Sequence, residues 1–303
     1  MAEETVSQLC SLEKENYADC TVGLGGHSTK ILESGGGQSK LWGMDRDSEV
    51  LKEAEGNLER FGSRVKLRHG VFEELANWIE AGTIDGMIMD LGVSSVQIDK
   101  PERGFSFMKD GPLDMRMDNK QEKTAEMVVN DLGEIELAGL FYKYGEERNS
   151  RVIAKGIVRE RLNGRIKTTS QLASCISKSV RGGYHVIHPA TRVFQALRIE
   201  VNEEIGILER ALPKLMTLLK VGGRIAVISF HSIEDRVIKQ FGEEVTRSYI
   251  RGGVTDDPLL RVERKPLFKW VVKKPITPSL EEIEMNPRSR SAKMRVIERI
   301  ADN

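Results

Sequence analysis

Cysteine is scarce in this chain: Cys10, Cys20 and Cys175 are the only three among 303 residues. They form no C-x-x-C pair and no metal-ligand spacing, which excludes a disulfide-stapled scaffold and a zinc ribbon. The expectation is free thiols in a reducing compartment and no metal. Long apolar runs are lacking too, since no stretch approaches the roughly 20 residues of a membrane span. Met1 to Leu12 carries acidic residues and lacks the basic-then-apolar layout of a secretory signal. A cytoplasmic chain, or the mature form of an organellar one, with no membrane partner, is therefore expected. Net charge is absent as well. The 46 Lys and Arg balance 46 Asp and Glu, so any nucleic-acid face needs local clustering of basic residues. There is no internal repeat and no low-complexity tract. The length exceeds one ordinary compact core, so one domain with an insertion, or two domains, is expected.

What is present is an alternation of short apolar runs and helical patterns, as in βαβ units. Tyr17–Val22, Lys40–Met44, Val65–Arg68 and Ile84–Leu91 read as strands. Ser28–Glu33, Ser48–Phe61 and Phe72–Ala81 read as helices between them. The pattern breaks at about Gln97–Asp118, a long irregular loop rich in Gly, Pro and charge, of a kind that is commonly functional. From Thr124 to about Leu208 it is mainly helical, with Thr168, Thr169 and Ser170 as a capping region and a break at His188-Pro189. Ile205–Leu219 is amphipathic, Val221-Gly222-Gly223 reads as a turn, and Arg224–Phe230 as a strong strand. The simplest fold class is α/β, a doubly wound sheet interrupted by a helical insertion.

Three strand ends carry glycine or acid. Gly23–Gly26 lets the backbone turn tightly and a ligand approach the main chain. Its spacing is GxGG, not the GxGxxG of a dinucleotide site. Asp45 ends the next strand about twenty residues later, where a carboxylate meets a ribose diol; a helix N-cap is its bland alternative. Asp90 ends the buried fourth strand. S-adenosylmethionine carries no phosphate, and its ammonium and sulfonium are cationic, so a pocket bearing Asp19 and Asp90 suits it better than a pyrophosphate. A nicotinamide-dependent oxidoreductase is disfavoured on the same ground.

The longer motifs are GLGGHS at Gly23–Ser28, GMDRD at Gly43–Asp47, DGMIMDLGVSS at Asp85–Ser95, DKPERGFSFMKDGPLDMRMD at Asp99–Asp118 and YGEER at Tyr144–Arg148. HPATRVFQALRIEVN at His188–Asn202, GGRIAVISFHSIEDR at Gly222–Arg236 and NPRSRSAKMRV at Asn286–Val296 complete the set. In order and nearly end to end, the chain resembles the bacterial small-subunit ribosomal RNA cytosine-N4 methyltransferases, the RsmH or MraW family. The resemblance implies a class I, Rossmann-like methyltransferase domain (residues 1–105 plus 200–303) with an inserted, mainly helical substrate-recognition domain (106–199). It implies S-adenosylmethionine as cofactor, small-subunit ribosomal RNA as partner, and methylation of the exocyclic N4 amine of one cytidine in the decoding region. Carried over by motif, Gly25, Gly26, His27, Asp45, Phe72, Asp90 and Gln97 are expected on the cofactor. Three departures stand out: no His-x-Pro-Val segment precedes the first helix, Val96 stands where Pro is usual, and Val71 where a small or polar residue is common.

A cytosine amine is a poor nucleophile, so positioning and a proton acceptor must lower the barrier. The expected catalytic residues are Asp90, Ser94 and His231, with the Asp90–Ser95 loop and the Ser229–His231 turn facing each other across the base. His231 as a packed, hydrogen-bonded residue is an equal alternative, and Glu234-Asp235-Arg236 reads as a helix start. Candidates for RNA contact are Arg103, Lys109, Arg116, Arg148, Arg192, Arg198, Arg288, Arg290, Lys293 and Arg295. Phe105 and Phe107 either stack on a flipped base or plug a core. A methyltransferase on another acceptor, or an inactive RNA-binding assembly factor retaining the fold, are the competing functions. The oligomeric state, monomer or homodimer, stays open.

Overall fold

The computed structural model describes residues 1–10, 15–180, 188–252 and 256–302. The chain packs as two compact units, Met1–Gly92 with Ile207–Asn303, and Val93–Gly206. It begins with α1 (Ala2–Leu9), β1 (Asn16–Asp19), α2 (Gly26–Ser34), β2 (Lys40–Asp45), α3 (Ser48–Leu58), β3 (Val65–His69) and β4 (Ile84–Asp90). The second unit follows with α4 (Ser95–Asp99), α5 (Ala125–Asp131), α6 (Glu134–Gly145), α7 (Ser150–Glu160), α8 (Thr169–Ser179) and α9 (Ala190–Asn202). The chain then runs through α10 (Glu204–Met216), β5 (Leu219–Ser229), α11 (Ser232–Val245), β6 (Tyr249–Ile250), β7 (Val262–Glu263), β8 (Phe268–Trp270), α12 (Leu280–Met285) and β9 (Lys293–Arg299).

Seven strands of the first unit form one sheet in the order β3-β2-β1-β4-β5-β9-β8, and β6 with β7 makes a separate antiparallel ribbon. β1 to β5 are parallel, while β9 runs antiparallel to both β5 and β8. The order reverses between β1 and β4, which opens a crevice beyond their carboxyl ends. Side chains of β4 alternate between two cores, as a pleated strand requires. Met87 and Met89 join Leu208, Leu212 and Leu215 of α10, and Ile88 joins Leu9, Ile31 and Leu51 on the other face. Burial on both faces explains why β4 reads as an apolar run.

Several local expectations shift. The Tyr17–Val22 strand stops at Asp19, so the bend starts three residues earlier. Phe72–Asn77 forms a tight 3₁₀ turn where an α-helix to Ala81 was expected. Val221-Gly222-Gly223 is not a turn ahead of the strand. It is a bulge inside β5, where Ile84 pairs with Leu219 and Gly86 with Arg224, and Gly222 adopts φ +83°.

In the second unit, Thr168 and Gln171 close a capping box on α8, as the sequence predicts. The 97–118 loop lacks regular pairing but is tightly held. Arg103 is buried and donates through Nη2 to the carbonyls of Arg116 and Met117, both at 3.0 Å. Asn202, also buried, accepts from Met117 N at 2.8 Å and donates to the carbonyls of Met115 at 2.8 Å and Arg198 at 2.9 Å. Gly104 turns the loop at φ +72°, where a Cβ would sit 2.3 Å from the carbonyl oxygen of Pro112. Phe105 and Phe107 pack against the helical core, Phe107 edge-on to Phe194 at 4.9 Å, so both serve as plugs. Asn202→Ala orphans buried backbone groups, and a loss of about 2–4 kcal/mol is expected. Urea unfolding of the variant checks it, and a shift below about 0.5 kcal/mol would mean the loop is held by other contacts. Among the described residues, no helix is long and apolar enough to cross a membrane.

Candidate active site

The carboxyl edge of the first unit's sheet collects acids, glycines and histidines. After β1 the chain bends over Asp19, whose Oδ1 accepts from Thr21 N at 3.1 Å and whose Oδ2 accepts from Ser28 Oγ at 2.6 Å. Thr21 Oγ1 in turn accepts from Asp90 N at 2.7 Å, which ties the ends of β1 and β4 together. Gly25 caps α2 at φ +85°, and a Cβ there would lie 3.1 Å from Leu58. Only glycine takes that conformation without strain. The space beside Gly26 is open, with nothing within 4 Å of an added Cβ.

Asp45 links the second strand to this loop. Its Oδ2 accepts from Gly23 N at 2.8 Å and its Oδ1 from Asp47 N at 2.9 Å. The capping role that competed for Asp45 belongs to Asp47, which accepts from Glu49 N and Val50 N at the start of α3. Burial holds the Asp45 carboxyl above its ordinary value, against the two backbone bonds that favour the charged form. His69 Nε2 meets the carbonyl of Arg46 at 3.1 Å and pins the end of β3 beside it. Phe72 follows at the start of the 3₁₀ turn, partly buried against the core.

Asp90 is the least satisfied group of the edge. Its Oδ2 lies 3.5 Å from His27 Nδ1, and its Oδ1 is buried without a hydrogen-bond partner among the described residues. Burial, helped by the nearby Glu234 carboxylate, pushes its pKa up to about 7. Burial likewise raises Asp19 to about 6, despite the Ser28 bond and the neighbouring His27. Burial depresses His27, with Asp19 pulling the other way, and its Nε2 is also buried and unpartnered. Uncompensated acceptors and strained ionisations of this kind gather where a ligand completes the site.

His231 follows β5, the neighbour of β4. Its Nδ1 accepts from Glu234 N at 3.3 Å, and its Nε2 stands 3.2 Å from Glu234 Oε1. Glu234 Oε2 accepts from Phe230 N at 2.9 Å and His231 N at 3.3 Å, so the histidine is at once the cap of α11 and a partner of a buried carboxylate. The edge of the first unit thus brings together Gly25, Gly26, His27, Asp45, Phe72, Asp90 and His231. Ser94 and Gln97 belong to the second unit, where each bonds the other's backbone in the capping box of α4. Thr21, Ser28 and Glu234 also stand at this edge, although the motifs that contain Ser28 and Glu234 assign them no site role. A hydroxyl two residues after Asp19, and an acid three residues after His231, are the signals that could have found the first and the last.

A model of the MraW methylase family, as that family is described, matches residues 1–300. The chain belongs to that family. A ribosomal RNA small subunit methyltransferase H of Syntrophotalea carbinolica is 47% identical over 307 residues, covering 99% of this chain and 96% of the relative. Enzymes of the same name from Dehalococcoides mccartyi strain BAV1 and a Cyanothece species are 44% and 47% identical, covering 100% and 94% of this chain and 86% and 88% of their own lengths. Family membership makes the chain a methylase, and the seven-stranded sheet with antiparallel β9 between β5 and β8 is the class I methyltransferase arrangement. The residues of the edge fit S-adenosylmethionine. Asp45 has carboxylate lone pairs left for a ribose diol, Gly26 leaves the main chain open, and the buried Oδ1 of Asp90 awaits a donor or a cation.

Proposed function

We propose that this protein transfers a methyl group from S-adenosylmethionine to the exocyclic N4 amine of a cytidine in the decoding region of small-subunit ribosomal RNA, in the cytoplasm. The observation that carries the reading is the buried, unpartnered Asp90 Oδ1 at the carboxyl end of β4, beside His27 of the glycine loop. The relatives' shared name supports the acceptor. The cofactor supplies an electrophilic methyl group on a sulfonium.

Asp45 and the Gly25–Gly26 backbone fix the nucleoside end. Asp90 accepts a hydrogen bond from the target amine, which localises its lone pair. Asp90 would take the proton that the amine nitrogen sheds on methylation. A carboxylate with a pKa lifted to about 7 is a stronger acceptor for this than an ordinary one. His231, held by Glu234, orients the base from the adjacent strand end. Gln97 keeps the cofactor assignment that the resemblance implies, and Ser94 the catalytic one expected of the Asp90–Ser95 loop.

The second unit supplies an electrostatic argument for RNA. Arg148, Arg151, Lys155 and Arg159 are spaced three to four residues apart along α7 and its approach. None of the four has an ion pair among the described residues. Successive cations four residues apart are about 6 Å apart along a helix, a repeat that suits backbone phosphates. Four of the sequence candidates are already committed inside the protein. Arg103 and Arg295 are buried, Arg198 pairs with Glu204 through two 2.8 Å bonds, and Arg116 pairs with Asp114 at 2.7 Å.

Tritium transfer from labelled S-adenosylmethionine to small subunits from cells lacking the endogenous activity, followed by nucleoside mass spectrometry, tests the reading. N4-methylated cytidine is the expected product. Cofactor binding without label in that RNA would reassign the chain to another acceptor or to a subunit-assembly role.

A further inference from the structure

The region after α11 concentrates charge that no sequence motif marks. Residues 247–274 hold eight Lys and Arg against three Asp and Glu, an excess of five in a chain whose net charge is zero. The rest of the chain is therefore net negative by the same amount. Arg251, Lys265, Lys273 and Lys274 have no ion pair among the described residues, and all four are exposed. Those that are paired stiffen the segment. Arg261 Nε donates to Asp256 Oδ1 at 3.1 Å, Tyr249 Oη donates to Asp256 Oδ2 at 3.1 Å, and Arg247 and Arg261 lie over the Tyr249 ring at 5.2 and 4.3 Å. Arg264 donates to the backbone carbonyls of Arg247 and Glu244, closing the base of the ribbon.

Placement gives the cluster a direction. α11 starts at the carboxyl end of β5 and spans about 21 Å at helical rise. The ribbon follows it, away from Asp90 and His231. β8 then returns along the outer edge of the sheet, with Phe268 opposite Arg299 and Trp270 opposite Ile297. Ile276 bridges to Met294, next to Lys293, which is level with Ser229 at the catalytic edge. Lys293 itself pairs with Asp235 at 3.7 Å, so the cations left without an ion pair, Arg251, Lys265, Lys273 and Lys274, lie at the ribbon and on either side of the edge strand. Lysines on an edge strand also deter pairing with another chain. Lys269 is the one that lies on the strand, and it is matched by Glu298. Arg251, Lys273 and Lys274 lie off it.

We infer that this ribbon and edge strand form a second RNA-docking surface, built by the methyltransferase unit itself, which grips the phosphate backbone of the substrate RNA away from the reacting nucleotide. The inference rests on the RNA reading above. Phosphate is the chemistry that an unpaired row of Lys and Arg recognises. At the ribbon, Ile250, Leu259, Leu260 and Val262 are 53–91% exposed, and these apolar side chains lie against sugar and base faces while the cations take phosphates.

The test is the full-length variant Arg251→Gln/Lys265→Gln/Lys273→Gln/Lys274→Gln, with Lys40→Gln/Lys52→Gln as a charge-neutralising control elsewhere on the same unit. Binding to naked small-subunit RNA is measured over a salt series, beside steady-state methylation. The expected result is at least about tenfold weaker RNA binding. The slope of log affinity against log salt should be shallower by roughly 3, at about 0.7–0.9 for each phosphate no longer neutralised. KM for the subunit should rise in step, with kcat, cofactor affinity and melting temperature unchanged and the control like wild type. RNA affinity and salt slope equal to wild type would overturn the inference while leaving the methylation reading intact. Weakened binding to whole subunits alone, with naked RNA unaffected, would overturn it in favour of a protein contact. A wild-type chain that neither binds nor methylates this RNA would remove both.

Discussion

Asp90→Asn is expected to stabilise the cofactor-free protein above pH 7 while cutting single-turnover methylation by about 10²–10³-fold. The folded state raises the Asp90 pKa from 3.8 to about 7, chiefly through burial. A group raised in this way binds its proton more tightly folded than unfolded. Its contribution is fully present below about pH 4 and is lost as pH rises through 7. Asp19, raised to about 6, has the same sign, so wild-type stability should decline across pH 4–7. Asparagine cannot ionise, and the variant keeps only the Asp19 part of that decline. Because the Asp90 side chain is 29% exposed, the gain at pH 8 is set at about 1–2 kcal/mol, or about 3–6 °C. A cationic ligand selects the ionised carboxylate. Wild-type affinity for S-adenosylmethionine should therefore weaken below pH 7, by up to about tenfold per pH unit, and the variant's should not. Calorimetric melting at pH 5 and 8, with titration of the cofactor at both, covers all three effects. A variant less stable than wild type at pH 8, with unchanged pH dependence, would mean that Asp90 is not the uncompensated group.

The second large effect is expected at Asp45. Asp45→Ala removes the acceptor for Gly23 N and Asp47 N along with the proposed ribose contact, so cofactor affinity should fall by about 100-fold. Loop disorder and loss of the ribose contact are separable. Wild type should bind an analogue lacking the ribose hydroxyls much more weakly than the parent, whereas the alanine variant should bind the two alike. If the variant still discriminates between them, Asp45 acts only by holding the glycine loop. Half-burial of an acid with a raised pKa also means that its removal relieves a cost. The melting temperature should move far less than the affinity.

Both predictions concern residues legible in the sequence, and the reason is local. A glycine loop after one strand, an acid ending the next and an acid ending a buried apolar strand are each encoded within a few residues. A doubly wound sheet then brings strand ends together whatever the intervening chain does. Capping follows the same logic, and Thr168 with Gln171 announces α8 by chemistry three residues apart. The 3₁₀ turn at Phe72 is not legible in this way, because a short amphipathic run does not distinguish a tight turn from a helix. Nor is the bulge at Gly222, because a glycine pair marks a break without saying whether pairing resumes beyond it.

By itself, then, the sequence determined the α/β class, the interruption of the sheet, the acids at the strand ends and membership of a methylase family. Only the tertiary structure decided which charges are spent inside and which are left for a partner. Arg103 and Arg295 look like surface cations in sequence but are held in the interior by carbonyls and by Asp235, respectively. Arg251, Lys265, Lys273 and Lys274 look ordinary yet have no ion pair among the described residues. The difference is physical. A guanidinium can find its acceptors far along the sequence, 13 and 14 residues away for Arg103 and 60 or more for Arg295 with Asp235 and Arg224 with Glu298, and no local pattern records a contact closed at that range.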